Sequence, residues 1–105
     1  MLQAFVMPGI GHYEAIRKEI IRRLQRERER RKLSKYAVAQ RSGVSESMLS
    51  LVERGLRNPT MELMLRVADG IGADLAPIIN RARRTISRAE ANKLTVRKGQ
   101  LKRKA

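Results

Sequence analysis

The sequence predicts an all-α fold, a compact domain of five helices that is followed by a basic C-terminal tail. Aromatic residues make up only 3% of the 105 residues, so a core must be built from Leu, Ile, Val, Met and Ala. Such residues suit small packed helices better than a β-sandwich, which usually draws on aromatic and β-branched side chains. Apolar residues also recur at helical spacing, between recognisable helix starts and stops.

The first predicted helix is Ala15–Lys32. Its apolar residues form one stripe at i, i+4, i+5 and i+8, namely Ile16, Ile20, Ile21 and Leu24. The rest of its surface is dense in Arg and Glu. Glu27 and Glu29 lie within helical reach of neighbouring cations, which neutralises part of this charge.

Two short helices are predicted next, Lys35–Ser42 and Glu46–Arg54. Each is preceded by a serine that can cap it and followed by a glycine that can adopt the left-handed conformation, Ser34 with Gly43 and Ser45 with Gly55.

Met61–Gly70 is the fourth predicted helix, with Thr60 as its cap and Glu62 in its first turn, where the helix dipole favours an acid. We expect its apolar positions to be Leu63, Leu65, Val67 and Ala68. After Gly72, Asp74 caps a last helix through Leu75, Ile78 and Ile79.

Composition divides the chain into an N-terminal arm (1–14), a helical domain (15–82) and a basic C-terminal extension (83–105). The arm carries no charge before Glu14, whereas residues 81–105 carry a net charge of +9. We expect the last helix to continue to about Asn92. Val96–Ala105 has too little apolar content to fold on its own.

The whole chain has 24 basic and 10 acidic residues, a net charge of +14. Such a chain gathers on polyanions, and nucleic acid is the commonest inside a cell. An anionic membrane surface and merely solvating charge are the alternatives, although Trp, a common membrane anchor, is absent. No apolar run approaches a membrane span, and the N-terminus lacks the basic region of a signal peptide. The absence of Cys fits a reducing compartment. We expect a cytoplasmic protein.

Gly43-Val44-Ser45 joins two short helices at the spacing of a helix-turn-helix, with a small residue at Ala39 and an apolar plug at Val44. In the second helix, Leu49 and Val52 fall on one face. The opposite face consists of Ser47, Ser50, Leu51 and Arg54. Leu51 is either an edge of the core or a groove-facing residue that contacts a thymine methyl group.

Leu33–Leu75 strongly resembles the Cro/C1-type (XRE family) helix-turn-helix domain. The matching features are Leu33-Ser34, Ala39, Gly43-Val44-Ser45, Leu49-Ser50, Val52-Glu53-Arg54-Gly55, Arg57-Asn58-Pro59-Thr60 and Leu65-Arg66-Val67-Ala68. The resemblance implies a five-helix lambda-repressor-like domain over roughly Ile16–Arg81, in which Ser45–Arg54 enters the major groove of DNA.

By this resemblance, the base-contacting residues are Glu46, Ser47 and Leu51, with Ser50 as a nearby candidate. The phosphate-contacting residues are Ser34, Lys35, Ser45, Arg54, Arg57 and Asn58. Ala37 stands where many members carry Glu, so Ser34 lacks its usual capping-box partner. Glu46 stands where Gln or Arg is frequent, and it either accepts from a cytosine amino group or stabilises the helix N-terminus.

We therefore expect a sequence-specific double-stranded DNA-binding transcriptional regulator, a repressor acting as a homodimer, with Ile78, Ile79 and Ile86 as candidate dimer contacts. An antitoxin or plasmid- or phage-type regulator that also binds a partner protein such as a toxin is an alternative. A nonspecific basic nucleic-acid-binding protein is another. The basic tail is a solvated end, an oligomer contact or, as we favour, an arm that binds phosphates.

Enzymatic, metal-binding and cofactor-binding functions are not expected. His12, the only histidine, lies in the predicted arm, where we interpret it as an ordinary surface residue. The serines have helical spacing without a base to activate them, and neither a phosphate-binding glycine loop nor an acid–histidine cluster is present.

Overall fold

A computed structural model of the chain describes the backbone of residues 11–104 and the side chains of residues 11–93. Within this part the chain forms five helices and no strand, which confirms the predicted all-α, lambda-repressor-like class. The helices are α1 (His12–Arg30), α2 (Lys35–Ser42), α3 (Glu46–Glu53), α4 (Met61–Ile71) and α5 (Leu75–Lys104).

The predicted helix caps are present. The Ser34, Ser45 and Thr60 hydroxyls each accept a hydrogen bond from the backbone N–H three residues later, at 3.0 to 3.1 Å. Ser34 thus caps α2 without the glutamate that a capping box would place at Ala37. The end of α3 is a Schellman motif, in which Gly55 has a φ of 75° and the N–H of Leu56 donates to the carbonyl of Leu51.

The first helix begins at His12, three residues before the predicted start, while residues 1–10 of the predicted arm lie outside the described residues. A tertiary contact accounts for the earlier start, because His12 Nδ1 lies 2.8 Å from Glu90 Oε1 on α5. The interpretation of His12 as an ordinary surface residue was therefore incomplete: its side chain is largely buried and joins the first turn of α1 to α5.

The last helix continues to Lys104, well beyond the expected end near Asn92. The expectation that Val96–Ala105 lacks structure of its own was based on its low apolar content. The same segment contains no proline and half of its residues are Lys or Arg, which have high helix propensity and prolong a helix that is already nucleated.

One hydrophobic core joins all five helices. Its buried side chains come from α1, α2, α3, α4, α5 and the α2–α3 turn, and they include Ile16, Ile20, Leu24, Val38, Val44, Leu49, Met64, Val67, Ile71, Leu75, Ile78 and Ala82. Ile79 and Ile86 pack against this core. Ile78 is therefore not available as a dimer contact, which corrects that expectation.

The apolar face of α4 was predicted wrongly at one position. Leu65 is 47% exposed, whereas Met64, Val67, Ala68 and Ile71 are buried at i, i+3, i+4 and i+7. Because successive residues of a helix are 100° apart, a stripe that contains Met64 excludes its neighbour Leu65.

Close contact between α2 and α4 depends on a glycine. A Cβ atom at Gly70 would lie 3.0 Å from Ser42 Cβ and 3.1 Å from the carbonyl oxygen of Val38. Gly70 therefore allows the backbones of the two helices to approach each other more closely than alanine would.

Candidate nucleic-acid interface

The turn between α2 and α3 is fixed by local hydrogen bonds and by one buried side chain. Gly43 has a φ of 74°, and the buried Ser42 hydroxyl accepts a hydrogen bond from the N–H of Val44 at 3.1 Å. Val44 belongs to the core, as predicted for the plug of the turn, and Ala39 is half-buried. These contacts set the angle at which α3 leaves α2.

Helix α3 has one buried side and one open side. Leu49 and Val52 are buried, and Met48 packs beside them. The opposite side consists of exposed Glu46, Ser47 and Arg54 and of half-buried Ser50 and Leu51. Among the described residues, the partly buried side chains that pack against the core do not include Leu51, which favours the groove-facing interpretation of this residue over the core-edge one.

A buried ion pair joins the end of α3 to α1. Arg28 donates through Nε to Glu53 Oε2 at 2.8 Å and through a terminal nitrogen to Glu53 Oε1 at 3.0 Å. A third hydrogen bond, 2.8 Å long, runs from Arg28 to the carbonyl oxygen of Leu33. Both side chains are at most 10% exposed, so this bidentate pair fixes the orientation of α3 relative to α1.

Two of the predicted contact residues meet directly. The Lys35 ammonium group donates to the Ser50 hydroxyl at 3.3 Å, so a predicted phosphate contact on α2 touches a predicted base contact on α3. The bond links the first turn of α2 to the open side of α3. Ser34 and Ser45 are both exposed at the N-termini of these two helices.

Arg54, Arg57 and Asn58 line a common cleft with α1, about 380 Å³ in volume. The opposite wall includes Arg17 and Arg22, which the sequence analysis did not single out. They lie far from the helix-turn-helix in sequence, and only the packing of α1 beside the α3–α4 loop brings them to this cleft. The result is an open site whose rim carries several guanidinium groups.

Glu46 and Ser45 share a shallow groove with Tyr36 and Gln40 of α2. Tyr36 is 61% exposed. A tyrosine in the first turn of the helix before the turn was an available signal that the sequence analysis missed. Glu46 makes no ion pair with any described residue, so its carboxylate is open to either predicted role.

Comparison with known proteins identifies the fold. A family model described as a helix-turn-helix domain matches residues 19–78. The chain belongs to this helix-turn-helix domain family. No curated protein and no solved structure matches the chain. The matched range covers α2, α3 and α4 completely, and it leaves residues 12–18 of α1 and 79–104 of α5 outside.

The acidic side chains of α1 are paired with nearby cations, whereas three cations around α3 form no ion pair in the described part of the chain. Glu14 and Glu19 each bind two cations of α1, and Glu27 binds Arg30 and the C-cap residue Arg31. The hydrogen bonds that Arg30 donates lower the pKa of Glu27 below its ordinary value, and the same contact raises the pKa of Arg30. By contrast, Lys35, Arg54 and Arg57 form no ion pair within the described residues.

The described part of the chain contains no group of His, Cys, Asp or Glu side chains that is able to hold a metal ion. None of the described helices has the length and apolar content to cross a membrane.

Proposed function

We propose that the chain is a sequence-specific regulator of transcription, a repressor of the Cro/C1 (XRE) type that places α3 in the major groove of double-stranded DNA. The observation that carries this proposal is the two-sided α3. Its buried side is held by the core and by the Arg28–Glu53 pair, and the cations that flank its open side form no ion pair within the described residues. A rigidly held helix with an open polar face and cationic flanks fits the requirements of groove recognition.

The proposal divides the predicted contacts into two groups. Glu46, Ser47, Ser50 and Leu51 contact base edges, and they supply sequence discrimination. Phosphate groups are held by Ser34, Lys35, Ser45, Arg54, Arg57 and Asn58. Lys35, Arg54 and Arg57 support this division, because no carboxylate of the described residues neutralises them and phosphates are free to do so.

The regulator acts as a homodimer in this proposal, because one small domain contacts only a few base pairs and two-fold pairing doubles the recognised sequence. Ile79 and Ile86 contribute at most their partly exposed edges to such an interface, since both pack on the core. Sedimentation of the free protein and of its DNA complex measures the stoichiometry directly. A single chain per operator would contradict this part of the proposal.

The central test begins with selection of bound sequences from a random pool of duplex DNA. We expect a defined, two-fold symmetric consensus. Ser47→Glu and Leu51→Glu then weaken binding to the selected site by at least about tenfold, because each removes a base contact worth roughly 1–3 kcal/mol and adds a charge that phosphates repel.

Leu65→Glu is the matched control, because Leu65 is an exposed leucine on α4 outside the proposed contact surface. The affinity of this variant for the selected site should stay near that of the unmodified protein. Circular dichroism verifies that all three variants are folded. Wild-type affinity of both α3 variants would refute the assignment of α3. Failure to select any consensus would support the nonspecific alternative, since specific binders prefer their sites by roughly a thousandfold or more.

A further inference from the structure

Several unpaired cations of the chain lie outside the helix-turn-helix, on the last helix. Arg83, Arg84, Arg88 and Lys93 are exposed, and none of them forms an ion pair within the described residues. Arg84 donates only its Nε, to the carbonyl oxygen of Asn80 at 3.4 Å, which leaves its terminal nitrogens free. The only carboxylate on α5, that of Glu90, contacts His12 instead.

These arginines form one surface. Arg83, Arg84 and Arg88 lie with Asn80 and Ser87 around a shallow, open depression on one face of α5, and no acidic residue lines it. Asn80, Arg84 and Arg88 follow one another at i, i+4 and i+8, so they form a row along one side of the helix. We call these five residues the α5 groove.

The α5 groove faces away from the packed side of the helix. Leu75, Ile78 and Ala82 are buried against the rest of the domain, and Arg23 of α1 donates to the Thr85 hydroxyl at 2.8 Å. The helix packs mainly on α1 and also on α4. The α5 groove is therefore a surface separate from the one formed by α2, α3 and the α3–α4 loop, and it lies beyond the matched family range.

We infer that the α5 groove binds phosphate groups of duplex DNA outside the segment that α3 contacts. The chemistry is that of guanidinium groups, which bind phosphate oxygens in a bidentate manner, with the amide of Asn80 and the hydroxyl of Ser87 as further donors. A row of cations on a rigid helix contributes affinity without base preference. This inference rests on the proposed DNA-binding function and adds a second contact surface to it.

The test compares two variants of the full chain that lose the same charge. Arg84→Gln/Arg88→Gln removes two unpaired cations of the α5 groove. Arg30→Gln/Arg66→Gln removes two exposed cations that are already paired, with Glu27 and Glu62 respectively. Affinity for a duplex that carries the selected site and flanking sequence is measured at several salt concentrations, and affinity for a scrambled duplex is measured beside it.

The slope of log K against log[salt] is negative for a DNA-binding protein. We expect the α5 variant to make it less steep by about two, because each phosphate contact contributes about 0.9 to its magnitude. The paired control should reduce the magnitude of the slope by less than half as much. The ratio of affinities for the selected and scrambled duplexes should stay unchanged in the α5 variant, whereas Ser47→Glu lowers it. The salt slope therefore tests the α5 groove, and the ratio of affinities tests the proposed role of α3 independently.

Equal salt slopes in the α5 variant and the paired control would overturn the inference. A membrane role is tested with vesicles that contain anionic phosphatidylserine. Stronger binding of the wild-type chain to these vesicles than to the scrambled duplex, lost in the α5 variant, would likewise overturn the inference in favour of a lipid surface. Thermal unfolding of both double variants verifies that the comparison is made between folded proteins.

Discussion

At the scale of single residues, Gly70 shows how closely the helix-turn-helix is fitted to its support. Ser42 ends α2 and its hydroxyl orders the turn, while its Cβ atom lies against Gly70 of α4. The glycine is in a helix, where alanine is intrinsically more favourable by about 1 kcal/mol. The close contact disfavours alanine at this position, because its Cβ atom would press against the Val38 carbonyl and the Ser42 backbone, which are unable to move away freely.

We predict that Gly70→Ala destabilises the domain by about 1 kcal/mol, because overpacking of a fitted contact costs roughly 1–3 kcal/mol and exceeds the gain in helix propensity. Denaturant unfolding measures the change. Asp69→Ala is the control, since the neighbouring Asp69 is exposed and its replacement should leave stability equal or slightly increased. If Gly70→Ala instead increased the free energy of unfolding, α2 and α4 would be able to move slightly apart without loss of stability, which would contradict the prediction.

The residues that the sequence predicted best are those with a local role. The helix caps contact only backbone groups within a few residues of their own position, so the local sequence is enough to predict them. They are Ser34, Ser45, Thr60 and the glycines that end the helices. Gly70 and His12 could not be interpreted in this way. Each depends on a residue from another helix, Ser42 for one and Glu90 for the other.

At the scale of helices, the Arg28–Glu53 pair determines how α3 is presented. Both side chains are at most 10% exposed, so removal of one of them leaves the other charge buried without its bidentate partner. The Arg66–Glu62 pair on α4 joins the same two residue types but is exposed to solvent, where ion pairs contribute little to the free energy of unfolding.

We predict that Glu53→Ala lowers the free energy of unfolding by about 3–5 kcal/mol, the usual cost of breaking a buried pair from one side. Glu62→Ala, the same substitution at an exposed pair, should cost about 1 kcal/mol or less. Arg28→Met/Glu53→Leu should lose less stability than the sum of its single variants, because no unpaired charge remains buried. Additive single and double variants would mean that the two side chains do not interact.

The boundaries of α2, α3 and α4 were predictable to within one residue because caps and glycines define them, whereas both ends of α1 and the end of α5 were not. The start of α1 depends on its contact with α5, and the length of α5 depends on propensity, which an argument from apolar content overlooks. Within the site, the sequence predicted the open and buried sides of α3 from their 100° spacing. Arg17 and Arg22, in the cleft with Arg54, were beyond its reach because only tertiary packing brings them there.

At the scale of the whole molecule, the described side chains of α5 beyond Ala82 contribute little to the buried core. The last buried side chain is Ala82, and Ile86 is the last partly buried one that packs on the core among the described side chains. The remaining helix is strongly basic. The buried core and more than half of the net positive charge thus lie in different parts of the chain.

A chain that ends at Lys93 should therefore unfold within about 4 °C of the full chain, a shift that corresponds to less than about 1 kcal/mol for a domain of this size. It should also bind DNA with a smaller salt slope, since cations are lost with residues 94–105. A chain that ends at Arg81 loses Ala82, Thr85 and Ile86 and should be clearly less stable. Thermal melts followed by circular dichroism compare the three, and equal losses in both truncations would show that the end of α5 supports the core.

The two-sided α3 has a consequence for how such a protein diverges over generations. On the proposed role, its target depends on Glu46, Ser47 and Leu51, while its fold depends on Leu49 and Val52, and the two sets do not overlap. A duplicated gene is then free to change its target by one substitution at a time, and each intermediate still folds. Descendants of one ancestor are able to recognise different control sequences in the same cell, with little competition among them.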